Sequence, residues 1–414
     1  MRKEEFYQEA LRESKGPLEG VRVLEATTAG AGPWAGTLLA DQGAEVIKID
    51  QAGTGDILRQ LPPFVKSSST LDSSALYLTI NRNKKGITLN FREPEGQELF
   101  KELAKKMDII IENFKPGTMD KWHLGYKDIK KIKPDIIYTS VSGYGQYGPY
   151  SYKPGYDPVG QAMGGLMSVT GDPNGPPMRC GIAVADNMTG WLGAYGSILA
   201  LFYREKTGKG QHVDVNLLDS VLYASQSGIM LAALNDFTLH RLGNRSLGVV
   251  PFNTYRCIDG NYIFLLVAGD THWKRLCQIL GREDLINDPR CNSIPARSQH
   301  FELVDGLVSQ WMQGKTAEEA MVILDEAQLV AGPIYNFKQI IRDPHILERD
   351  MVAEIEHPAA GPLKLYGVGL KLSLTPGRVR MPAPMLGQHN EEIYSGLLGL
   401  RAEKIAQLKE KGII

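Results

Sequence analysis

Val21–Ala26 (VRVLEA) is short, apolar and β-branched, and reads as a buried strand. TTAGAGP follows as a tight turn, WAGTLLADQG as a helix, and Glu45–Ile49 (EVIKI) as a second strand. Pro33 suits the first turn of that helix and Gly43 its end. A strand, a helix and a strand in such quick succession place the two strands side by side and parallel, because a parallel pair needs a crossover between its members. A chain that starts this way is committed to a parallel sheet covered by helices.

The pattern recurs. Gly86–Asn90 reads as a strand, Pro94–Met107 as a helix, Asp108–Glu112 (DIIIE) as a strand. Helices near Met119–Leu124 and Tyr126–Ile132 and a strand at Asp135–Ser142 follow. A long apolar helix opens at Asp186, and KTGKGQHVDVNLLDS reads as turn, strand and helix start. Beyond about residue 240 the texture changes to antiparallel strands joined at Asp259-Gly260, then helices. The expected architecture is α/β: a large Rossmann-like domain with a parallel sheet over residues 1–215, a linker over 216–240, and a smaller α+β domain over 241–330. Residues 331–414 are expected to be a linker and a return to the large domain, with helices in MPAPMLGQHNEEIYSGLLGL and AEKIAQLKEKG.

The net charge of −1 argues against bulk nucleic-acid binding, which needs a basic face. Four cysteines without a C-x-x-C pair, and eight histidines without a metal-binding spacing, argue against structural zinc and a disulfide scaffold. The polar start MRKEEFYQEALRESKG lacks the apolar core of a signal peptide, and the most apolar stretches fall short of a membrane span. The expectation is a cytoplasmic protein in a reducing compartment.

Four motifs carry possible chemistry. Gly30-Ala31-Gly32-Pro33-Trp34-Ala35, with Asp50 ending the next strand, nearly fits a dinucleotide fingerprint and would make the protein an NAD-dependent oxidoreductase. Pro33 weakens that reading by removing an N–H from a loop meant to donate N–H groups to pyrophosphate. Gly143 to Gly148 spells the same glycine pattern, but Pro149 and Pro154 leave no helix to open there. Arg82, Lys84, Lys85, Arg92, Lys115 and Lys121 scatter near strand ends. Most read as solvated, whereas Lys115 and Lys121 follow an apolar strand, where an open parallel sheet binds its ligands. Asp186 is either a helix cap or a nucleophile: a helix start favours both an acidic cap and an ionised carboxylate.

Taken in order, GPLEGVRVLEATTAGAGPWAGTLLADQGAEVIKID, NRNKKGITLN, ENFKPGTMDKWHLGY, SGYGQYGPYSYKPGYDPVGQAMGGLMSVTG, GIAVADNMTG, KTGKGQHVDVNLLDS and MPAPMLGQHNEEI resemble the class III CoA transferases, whose superfamily also holds the α-methylacyl-CoA racemases. The resemblance implies a CoA site on the large domain, with Gly30, Ala31, Leu89, Arg92, Asn113, Phe114, Lys115, Lys121, Tyr156 and Asp157 as CoA-contacting positions and Asp186 as the nucleophile. It implies an interlocked homodimer acting on an acyl-CoA and a carboxylic acid, with CoA as co-substrate and no metal or redox cofactor. Gly248 in SLGVV matches a glycine-rich loop that covers the site in some members. The sequence departs from the family at Thr28, Gly30 and Gln51, where some members carry His, Gln and Arg, and in the loss of the other loop glycines.

The resemblance leaves transferase and racemase to be separated. Racemases read G-H-D-x-x-Y where this chain has Gly155-Tyr156-Asp157-Pro158. A tyrosine ordinarily titrates near 10 and is a poor base near neutrality, so transfer is favoured. In the implied mechanism Asp186 forms an acyl anhydride and then an aspartyl-CoA thioester, with backbone N–H groups near the glycine-containing loop stabilising the oxyanions. A non-catalytic CoA-binding protein is a third class.

Overall fold

The computed structural model describes residues 1–235 and 237–414. Six strands form one parallel sheet: β1 (Arg22–Ala26), β2 (Glu45–Asp50), β3 (Lys84–Thr88), β4 (Ile109–Glu112), β5 (Ile137–Ser142) and β6 (His212–Asn216). Their spatial order is β3-β2-β1-β4-β5-β6, and every neighbouring pair is parallel. That is the doubly wound order, which reverses direction between β1 and β4.

Alternation along each strand feeds two cores. Val23, Val46, Ile109, Ile111 and Ile137 face one side, against Ala35 and Leu39 of helix Ala31–Asp41 and Ala194 and Leu201 of helix Val184–Thr207. Leu24, Ile47, Ile110 and Tyr138 face the other, against Leu99, Phe100 and Leu103 of helix Pro94–Ala104. Burial on both faces explains why these strands read as continuous apolar runs. The helices Ala31–Asp41 and Val184–Thr207 cross closely because Gly190 carries no side chain: a Cβ there would lie 2.5 Å from Trp34 Cδ1 and 3.0 Å from the Ala31 carbonyl oxygen.

The edge strand β3 is covered by the C-terminal segment. Gly86 N–H donates to His389 Nδ1, Thr88 N–H to Asn390 Oδ1, and Asn90 N–H to the carbonyl of Ile413. An edge protected this way cannot pair with another chain. Residues 381–389 are not helical; the segment is regular only at Glu392–Leu397, a π-helix, and at Ala402–Glu410. The helices Ala75–Ile80 and Asp157–Met163 were not anticipated from the sequence. A hairpin of β10 (Val352–His357) and β11 (Gly361–Tyr366) also belongs to this unit, which comprises residues 1–166, 179–229 and 344–414.

Residues 167–178 and 230–343 form a second compact unit. Its antiparallel sheet has the order β7 (Phe252–Arg256), β8 (Tyr262–Leu266), β9 (Val330–Pro333). Ile263 and Leu265 of β8 pack with Trp273, Leu276, Val304, Val308, Met312 and Leu324 from the surrounding helices. Among the described residues no single helix is long and apolar enough to cross a membrane, and no cluster of His, Cys, Asp or Glu is placed to hold a metal ion.

Candidate active site

A doubly wound sheet binds its ligands beyond the carboxyl ends of its strands, where the strand order reverses. At that point the turn after β1 (Thr28 to Ala31) and the turn after β4 (Asn113 to Pro116) face each other across a pocket of about 250 Å³. Ile57, Val141 to Gly143, Lys153 to Tyr156, Leu217 and Asp186 complete its lining. A larger groove of about 740 Å³ near the N-terminus, where Lys3 Nζ lies 2.8 Å from Asp350 Oδ1, does not lie at the strand-order reversal.

Asp186 is the third residue of helix Val184–Thr207, whose cap position is Ala183. The capping task falls instead to Asp157. Its Oδ1 accepts from the N–H groups of Ala185 at 2.8 Å and Asp186 at 3.4 Å, and its Oδ2 from Gln161 Nε2 at 2.7 Å. The Asp186 carboxylate accepts no hydrogen bond from any described residue and is half-buried. Burial, with Asp157 adding repulsion, pushes it up to about 7. Desolvation therefore opposes the helix end, which favours the ionised form.

The Asp186 carboxylate lies against Gly30. A Cβ on Gly30 would stand 2.2 Å from Oδ2, so only glycine leaves room for it. This also speaks against a dinucleotide site, because a carboxylate occupies the glycine turn where a pyrophosphate would lie. Ala29 has φ +64°, a left-handed conformation that a residue with a Cβ seldom adopts. The turn is clamped on two sides. Asp56 Oδ1 accepts from Thr28 Oγ1 at 3.0 Å, Ala29 N–H at 3.1 Å and Leu58 N–H at 2.9 Å. Asn113 accepts from Thr28 N–H at 2.9 Å through Oδ1 and donates to the Thr28 carbonyl at 2.6 Å through Nδ2.

Beneath the turn lies a buried charge cluster. Lys48 Nζ donates to the Thr27 carbonyl at 2.9 Å and to Asp56 Oδ2 at 3.0 Å, with Glu25 and Asp50 each at 3.5 Å. Three carboxylates outweigh desolvation and raise the Lys48 ammonium above its ordinary range. Arg59 binds Asp50 at 2.8 Å and Asp72 at 2.5 Å. Glu112, under the second turn, accepts from Phe114 N–H at 2.9 Å and is pushed up to about 7 by burial.

The pocket brings together Gly30, Ala31, Asn113, Phe114, Lys115, Tyr156 and Asp186, with Asp157 buried directly behind. Leu89 is wholly buried in the core, so its side chain presents nothing to a ligand. Arg92 and Lys121 are exposed outside the pocket lining, and Gly248 belongs to the second unit. Three of the cations do not follow the solvated reading. Arg82 and Lys84 are buried against Asp41 at 2.7 Å and Glu25 at 2.8 Å, and the half-buried Lys85 lies 2.7 Å from Glu392. Sequence reasoning missed Lys153, which lines the pocket, and Asp56, whose only signal was an acid in a glycine-rich loop.

The description of CoA-transferase family III matches residues 18–390. A succinyl-CoA–D-citramalate CoA-transferase of Chloroflexus aurantiacus is 39% identical over 398 residues, covering 96% of this chain and 98% of that protein. The human succinyl-CoA:glutarate CoA-transferase is 36% identical over 400 residues, covering 96% of this chain and 90% of the relative. Among solved structures, a CaiB/BaiF family protein from Brucella suis superposes with a TM-score of 0.84 at 32% identity, over 92% of this chain and all of that one. With a pocket at the reversal of a doubly wound sheet and likeness running through nearly its whole length, the chain belongs to CoA-transferase family III.

Proposed function

We propose that the protein moves CoA from an acyl-CoA donor to a carboxylic acid acceptor through covalent intermediates on Asp186. The observation that carries this reading is a half-buried carboxylate in the switch-point pocket with no hydrogen bond from any described residue, its capping duty taken by Asp157. The ionised carboxylate attacks the thioester carbon and expels CoA thiolate, leaving an anhydride between Asp186 and the donor acid. The thiolate attacks the aspartyl carbonyl, forming an aspartyl-CoA thioester and releasing the donor carboxylate. The acceptor carboxylate attacks that thioester and expels the thiolate again. The thiolate then takes the acceptor acyl carbon and restores Asp186. These steps balance without electron transfer. Helix Ala31–Asp41 opens at the pocket, and its first N–H groups lack intrahelical acceptors, which suits them to oxyanions. Lys115 and Lys153 suit the CoA phosphates.

Succinyl-CoA is the preferred donor and a dicarboxylic acid the acceptor, in line with the named activities of the two relatives. A homodimer is supported by an exposed apolar stripe on helix Val184–Thr207, formed by Trp191, Tyr195, Leu199, Phe202 and Tyr203. Four unpaired cysteines suit a reducing cytoplasmic setting. Incubation with succinyl-CoA followed by hydroxylamine is expected to leave a hydroxamate on Asp186. Asp186→Ala is expected to abolish transfer to citramalate, glutarate or malate while CoA still binds; undiminished turnover refutes the assignment. The racemase reading predicts deuterium exchange at the α-carbon of a 2-methylacyl-CoA without any acceptor acid.

A further inference from the structure

The turn that faces Asp186 does not hold its shape by its own sequence. Ala29 sits in the left-handed region, and the Gly30 beside it adds freedom rather than rigidity. What fixes the turn is side chains from elsewhere in the chain. Asp56 holds Thr28 Oγ1 and Ala29 N–H from one side. Asn113 grips both the N–H and the carbonyl of Thr28 from the other. Lys48 ties the assembly together, bonding Asp56 Oδ2 and the Thr27 carbonyl at once. Lys48 and Asp56 are buried, so these bonds work in a medium where they are not exchanged for water.

The two clamps also explain what these side chains are not free to do. Both polar atoms of the Asn113 amide are spent on Thr28. Both carboxylate oxygens of Asp56 are engaged, one by the turn and one by Lys48. Neither presents an idle polar atom to a ligand. Their effect reaches the reaction through Gly30, whose missing Cβ makes the space the Asp186 carboxylate occupies.

We infer that Asp56 and Asn113 are positioning residues for the Asp186 reaction, holding the Thr28–Gly30 turn in the one conformation that leaves the Asp186 carboxylate its place beside Gly30. This rests on Asp186 being the reacting group. The turn's order is a property of the fold and can be read without turnover.

The test compares Asp56→Asn, Thr28→Val and Asn113→Ala with the parent full-length protein. Thr28→Val removes one hydroxyl bond to Asp56 at nearly constant shape, so it serves where the others fold poorly. Two quantities are measured: amide hydrogen exchange in peptides spanning residues 27–31, and kcat and KM with succinyl-CoA and glutarate. The expected result is exchange at least about tenfold faster in that turn and kcat lowered about tenfold or more. KM for succinyl-CoA is expected to stay within about threefold, because neither side chain offers a free contact to CoA. Asp56→Glu, which keeps the charge, is expected to recover part of the loss seen in Asp56→Asn. Unchanged exchange in the turn, or a folded Thr28→Val protein with parental kcat and faster exchange, overturns the inference. If Asp186→Ala retains turnover, the proposed chemistry fails, while the exchange result still decides whether the turn is clamped.

Discussion

Asp157 Oδ1 accepts the N–H of Ala185 at 2.8 Å and that of Asp186 at 3.4 Å, so one aspartate caps the helix on which the other stands exposed to the pocket. Cap and nucleophile are usually competing readings of a single acid at a helix start. Here Asp157 takes the cap, and Asp186, the proposed nucleophile, is left without that duty. The pairing has a cost, because Asp157 repels the charge that Asp186 needs for attack.

Replacing Asp157 with Asn keeps a side chain that caps well and removes that repulsion. The acidic limb of the kcat profile is expected to move to lower pH, with a stability change below about 1 kcal/mol. A pH–rate series on parent and variant checks this. Asp157→Ala, which loses the cap, is expected to cost about 1 kcal/mol in urea unfolding.

Asp186 titrates at about 7 in the folded protein, well above an ordinary aspartate. Attack needs the ionised form, so turnover is expected to fall about tenfold per pH unit below that midpoint. For stability the sign runs the other way. The raised value means that folding favours the protonated form. That contribution is complete below about 4 and is lost as pH rises through about 7. Asp186→Asn is therefore expected to be more stable than the parent at pH 8, on the order of 2 kcal/mol, and little different near pH 4. Parallel thermal melts at the two pH values read the difference.

Gly30→Ala places a methyl group where the Asp186 carboxylate lies, 2.2 Å from Oδ2. The backbone at Gly30 has φ −97°, which alanine accepts, so the fold is expected to survive. Displacing the carboxylate by about an ångström is expected to lower kcat about a hundredfold. Near-parental turnover in a folded variant shows that the carboxylate works from another position.

Lys48 is wholly buried among Glu25, Asp50 and Asp56. Lys48→Met leaves the buried Asp56 without a cation, while Glu25 and Asp50 keep Lys84 and Arg59. The expected loss is about 3 to 5 kcal/mol, measured by denaturant unfolding. The exposed pair Lys364–Glu354 provides the control, where the change is expected to stay within about 1 kcal/mol.

Lys115→Ala and Lys153→Ala are each expected to raise KM for succinyl-CoA about tenfold with kcat nearly unchanged. The salt dependence of KM should flatten in both variants, because each removes a charge at the pocket mouth. Steady-state kinetics at two ionic strengths tests this.

Much of the large unit was legible because the signals were local. The short β-branched apolar runs of β1, β2 and β4 and the placement of Pro33 and Gly43 announce parallel strands and a crossover helix within a few residues of one another. The ordered blocks of sequence identified Asp186 and the turn around Gly30, since these lie in continuous stretches. The helix Asp157–Met163 was hidden by Pro149 and Pro154, which read as loop residues, while Pro158 fills its first turn.

Tertiary structure alone decided the roles of the charged residues. Lys84 and Lys115 look alike in a sequence, yet one neutralises Glu25 in the core and the other stands at the pocket. Asp157 and Asp186 are separated by a long stretch of chain, and only the fold makes one cap the helix of the other. Asp56 reaches Ala29 and Lys48 for the same reason. Propensity and patterning act over neighbouring residues, so the sequence by itself determined the strands, the helices and the candidate nucleophile. Desolvation and charge pairing depend on what the fold brings within a few ångströms, so which acid caps the helix, which stands in the pocket and which bonds the turn was decided only in three dimensions.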